Sequence, residues 1–158
     1  MTDATFDPVV CVARERDATR NFIDVLRREQ HALQQVDLSL LLPLATQKAR
    51  QAQQLAQMGD ARNRWLSNLG YPGNRSGMEH GLNHCPGAAN AWNELLQFAE
   101  TANQLNRING ILIGQRLRYS QQRLTALQTA TQRAQSAGLY GSNGQPQTFL
   151  GGRQLAEG

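Results

Sequence analysis

The chain has 158 residues, 40% of them hydrophobic and only 6% aromatic, with a formal net charge of +4. That length fits one domain, and the low apolar content excludes a deep globular interior. No apolar run approaches the roughly 20 residues that a bilayer-spanning helix needs, and Cys11 and Cys85, far apart and without a CxxC, make no disulfide framework.

The N-terminus, Met1 to Pro8, is acidic and lacks the apolar core of a signal peptide. A soluble protein of the cytoplasm is the expectation. From Pro8 to Val36, the residues Val12, Phe22, Val25, Leu26, Leu33 and Val36 recur at helical spacing and predict a first helix over 8–36. Asp37 suits an N-cap for the next element. Within Leu38 to Leu44, the most apolar segment, Pro43 should start a second helix or kink it. That helix is expected over 43–58, where Gly59 reads as a stop and Asp60 as a new cap. A short helix over 61–69 carries Trp65, Leu66 and Leu69. Residues 70–87, rich in glycine and with Pro72 and Pro86, read as a loop long enough to be functional or mobile.

A helix over 88–135 follows, about 70 Å long at 1.5 Å rise per residue. Trp92, Leu95, Ala99, Ala102, Leu105, Leu112, Ile113, Leu117, Leu124 and Leu127 are read as one face of it. Its length points to coiled-coil-like packing under two shorter antiparallel helices. The fold class expected is therefore all-α: an elongated antiparallel bundle of three main helices, one very long, in a single domain over 1–137. Residues 138–158 read as a flexible glycine-rich tail that nevertheless carries Leu139, Tyr140, Phe149, Leu150 and Leu155.

The least helix-like stretch of the long helix is its most informative one. Asn106, Asn109 and Gly110 sit among aliphatic residues, and glycine costs a helix about 1 kcal/mol against alanine. A seam asparagine fixes register at a cost in stability; alternatively it bonds a docked helix. Gly110 and Gly114 read as close backbone approach, within the bundle or to a partner. Charge is one-signed here: from Thr101 to Ala156 there is no Asp or Glu, but there are six arginines, among them Arg116 and Arg123. An acidic partner or a plain solvated face accounts for that.

Chemistry is poorly represented. His80, His84 and Cys85 lie close in sequence, but a structural zinc site needs four ligands and no second pair is near. No phosphate loop, nucleophile elbow or apolar carboxylate pair is present. The chain is expected not to be an enzyme and to need no cofactor or metal. A basic helical nucleic-acid-binding protein or a structural coiled-coil adaptor is the alternative reading, although no nucleic-acid motif is visible.

The block Asn106, Asn109-Gly110, Leu112-Ile113, with Tyr140-Gly141 and Gly144 after the long helix, resembles the FlgN family of flagellar export chaperones. A weaker match runs from Asp37 through the leucines to Lys48. The resemblance implies a chaperone that binds the C-terminal amphipathic helices of the hook-filament junction proteins FlgK and FlgL. It further implies delivery to the export gate protein FlhA, with Tyr140 as the docking residue. The residues placed in the partner-binding surface are Asn106, Asn109, Leu112, Ile113, Arg116, Leu117, Arg123, Leu124 and Leu127. A long helix with an incompletely covered apolar stripe suits such a partner.

Overall fold

Asp7 opens the first helix: its carboxylate accepts from the Val9 N–H at 3.0 Å, and Pro8 takes the first helical position, where no N–H is needed. The computed structural model describes residues 5–137. Within them the chain forms α1 (Pro8–Gln35), α2 (Leu38–Asn68), α3 (Arg75–Leu82), a single 3-10 turn (Pro86–Ala88) and α4 (Ala89–Ser136). No strand occurs among the described residues, and the fold is the expected all-α bundle. The chain divides into two compact units, Met1–Ile113 and Gly114–Gly158, so the division falls inside α4. The expected tail over 138–158 lies outside the described residues.

Two sequence-based boundaries are corrected. The helices expected over 43–58 and 61–69 are one helix, α2, starting at Leu38. Asp37 begins it by accepting from the Ser39 N–H at 3.2 Å and the Ser39 hydroxyl at 2.6 Å. Pro43 then costs a single backbone bond early in the helix, while Leu41 and Leu44 pack on Val25 and Ala32. Gly59 and Asp60 do not stop the helix, because Arg62, Trp65 and Leu66 beyond them are tied into the core.

The loop expected over 70–87 contains α3. Asn74 caps it through the Gly77 N–H at 2.8 Å. Its glycines are packing residues: a side chain at Gly77 would collide with the Pro72 carbonyl, and one at Gly81 would press on Leu66 and Trp65 at 3.0 Å. Glycine here lets a short helix lie against α2, with Met78 and Leu82 buried.

In the first unit α2 runs antiparallel to α1, since Glu15 meets Arg62 and Glu29 meets Lys48. The first part of α4 runs parallel to α1, since Arg16 meets Glu94 while Leu26 meets Asn109. α2 thus ends beside the start of α4, and α3 and the 3-10 turn connect the two at that end. The largest core cluster gathers Val12, Leu66, Met78, Leu82, Ala88, Ala91, Trp92 and Leu95 around it. Each fully buried Val, Leu or Met there contributes about 1.5–3 kcal/mol. Smaller clusters follow along α1, at Ile23, Leu26 and Ala102 and then at Val25, Ala32 and Leu44.

Val36 ends α1 in the left-handed region, φ 56°, which costs a side-chain-bearing residue about 1–2 kcal/mol. Glycine is free of that cost, and Val36 is exposed, so Val36→Gly should raise stability by about 1 kcal/mol in urea melts. Gly77→Ala should lower it by about 2–3 kcal/mol through the clash with Pro72.

Candidate functional site

In the first unit α1 and α2 share a seam whose residues recur at spacings of three, four or seven. On α1 these are Val12, Glu15, Thr19, Leu26, Glu29 and Leu33, all buried. On α2 they are Leu44, Lys48, Gln51, Leu55, Met58 and Arg62, buried or half-buried. Besides Thr19 and Gln51, the seam carries two charged layers two heptads apart. In one, Arg62 holds Glu15 through both carboxylate oxygens, at 3.0 and 3.1 Å, and its guanidinium lies 5.2 Å over the Trp92 ring. In the other, Lys48 reaches both oxygens of Glu29 at 3.0 and 3.3 Å.

The second layer is where α4 joins. Asn109 is fully buried, and its amide donates to the Leu26 carbonyl and to Glu29 Oε2, both at 2.8 Å. An amide with two donors is suited to this junction, because it satisfies a backbone carbonyl and a carboxylate at once. Asn109, expected among the partner-binding residues, is therefore committed to the bundle. Its neighbours differ: Asn106 and Ile113 are exposed, and Leu112 is half-buried. Gly110 has nothing within 4 Å of where a Cβ would stand, and at Gly114 only Arg118 Nη1 comes near, at 3.9 Å. Close packing inside the bundle thus does not account for this glycine pair.

In the second unit the described residues form helix to Ser136. Arg116 is half-buried. Leu117, Leu124 and Leu127 are 59%, 60% and 63% exposed, and Arg123 is exposed with its guanidinium 5.8 Å over Tyr119. Each exposed leucine leaves apolar surface in water, at about 25 cal/mol per Å². Of the residues placed in one partner-binding surface, Asn106 to Ile113 therefore belong to the first unit and Arg116 to Leu127 to the second. Tyr140 lies outside the described residues.

The single face expected for the long helix is also corrected. Leu95, Ala102 and Asn109 recur every heptad and are buried. Continued at that spacing the row reaches Arg116, Arg123 and Ala130, so Leu117, Leu124 and Thr131 stand one residue later, about 100° round a helix.

A family model described as FlgN protein matches residues 1–148 of the chain. The chain belongs to the FlgN family. No curated protein and no solved structure matches it. With the FlgN family comes the role of a flagellar export chaperone. No group of three or more His, Cys, Asp or Glu among the described residues is placed to hold a metal ion. His80 instead stacks on Tyr71 and donates through Nδ1 to the Ser76 carbonyl at 2.7 Å. No helix among the described residues is long and apolar enough to cross a membrane.

Glu15, Glu29, Lys48 and Arg62 were not singled out from the sequence as seam residues. The signal was present: the two glutamates and the two cations are each two heptads apart on their helices. Asn109→Ala removes two bonds from a buried site and should cost about 2–3 kcal/mol in denaturant unfolding. Asn106→Ala, on an exposed position, should change stability by less than about 0.5 kcal/mol.

Proposed function

We propose that this FlgN-family chain is a cytoplasmic, non-catalytic chaperone that holds the C-terminal helices of the hook-filament junction proteins FlgK and FlgL. It keeps them soluble and brings them to the export gate protein FlhA. The observation that carries this reading is the row of exposed leucines in the second unit, Leu117, Leu124 and Leu127. Apolar residues at helical spacing that are exposed among the described residues match what an amphipathic helix needs from its receptor. The first unit uses its buried charged groups internally, although it too exposes apolar side chains, Leu38 and Leu42 among them at 72% and 75%.

Release fits the same physics. A partner helix that folds as it binds loses ordering entropy on docking, so the net affinity stays moderate for a large contact. A chaperone that must hand its cargo on gains from that balance. Tyr140, which the family resemblance makes the gate-docking residue, belongs to a separate segment of the chain, so cargo binding and gate docking are taken as separable.

Leu124→Asp combined with Leu127→Asp should weaken binding to FlgK and FlgL at least about 100-fold, since two charges would enter the buried seam, each at a cost of about 1.4 kcal/mol or more. Isothermal titration calorimetry of the purified proteins reads this directly, with circular dichroism to confirm that α4 stays helical. Undiminished affinity would place the cargo elsewhere. Tyr140→Ala should leave cargo affinity unchanged and weaken FlhA binding in pull-downs; a loss of cargo binding instead would contradict the division of roles.

A further inference from the structure

Beyond Arg116 the residues Leu117, Ser120, Leu124, Leu127, Thr131 and Ala134 of α4 fall at alternating spacings of three and four, with Leu or Ala at four of these positions and the small polar Ser120 and Thr131 at the others. That is the seam of a two-stranded coiled coil. Its two borders differ in charge. On one border Arg123 flanks the seam directly and lies over the Tyr119 ring, which holds the cation beside the leucines, while Tyr119 and Arg133 stand farther round on the same side. On the other border Gln121, Gln128 and Gln135 flank the seam directly, with Arg118 farther round on that side. All of these are exposed. No carboxylate occurs from Thr101 to Ala156, so the unit's own sequence offers no counter-charge over that span.

We propose that this seam takes one helix of a specific chemistry: an apolar heptad stripe bordered by carboxylates on the side that meets Arg123, and by neutral polar residues on the side that meets the glutamines. The proposal rests on the chaperone reading above and narrows its cargo. A second copy of this chain complements the seam less well than an acidic helix does. An antiparallel pair sets Arg123 border against Arg123 border, and a parallel pair sets Arg123 against glutamine. Like charges at such flanks repel, whereas opposite charges select partner and orientation. The arginine border also explains why a row of exposed leucines need not make the chain self-associate.

Two designed helical peptides test this on the full-length chain. They share one leucine heptad seam and carry glutamine on one border, with either glutamate or lysine on the other. At low salt the glutamate peptide should bind about tenfold or more tightly than the lysine peptide, and Arg123→Glu should reverse the order. Equal affinities, or an order that Arg123→Glu does not change, would overturn the proposal. So would sedimentation showing a dimer that dissociates in the Leu124→Asp, Leu127→Asp variant. FlgK and FlgL binding, measured beside the peptides, separates the two levels. If those proteins bind through Leu124 and Leu127 but the peptides show no charge preference, the acidic border is wrong and the chaperone seam stands. If neither binds, both readings fall.

Discussion

Glu15 and Glu29 are carboxylates held almost out of water on the inner face of α1, and a buried carboxylate must find a cation or destabilise the fold by several kcal/mol. Arg62 and Lys48 are the cations on α2, spaced as the glutamates are, so only one antiparallel register satisfies both pairs. A slip of one helical turn would bury two unpaired charges. Apolar residues between the layers would tolerate such a slip far better, because leucine packs on leucine in many registers. The ion pairs thus contribute specificity more than net stability, a role that polar seam residues also play in coiled coils. Asn109 extends the same device to a third helix by bonding the Glu29 carboxylate already held by Lys48.

This constraint prepares the function. Because α1, α2 and the start of α4 are locked by two polar layers and a broad cluster around Trp92, the first unit does not depend on the rest of α4 for its core. The second unit's leucines are then available for another chain. Its apolar stripe falls one residue out of step with the row that α1 and α2 cover, so its sequence does not simply prolong the bundle's own seam. A chaperone needs both properties, a stable support and an apolar surface that the support does not consume.

Much of this was legible in the sequence, and the exceptions share a cause. The helical spacing of Val12, Leu26 and Leu33 marked α1, and the absence of proline from 88–135 marked α4. The FlgN resemblance rested on the Asn-Gly block and the Tyr-Gly pair, and the family is confirmed over residues 1–148. Local stop signals misled. Pro43, Gly59 and Asp60 look like breaks, but distant contacts of Leu44, Arg62 and Leu66 outweigh a propensity cost of about 1–3 kcal/mol. The glycines of α3 read as loop because their purpose, close approach of Gly81 to α2 and of Gly77 to the Pro72 backbone, lies outside the helix itself. Asn109 was seen to be unusual, yet its partners Leu26 and Glu29 lie some 80 residues away, and no local pattern names them.

Amide hydrogen exchange of the full chain, alone and with the C-terminal segment of FlgK or FlgL bound, tests the central claim most directly. The account predicts that amides over 117–134 exchange fast in the free chain and slow by at least about tenfold in the complex, while those of α1 around Leu26 and Glu29 are slow in both. Complex formation that leaves 117–134 unprotected, with new protection confined to α1 and α2, would contradict it.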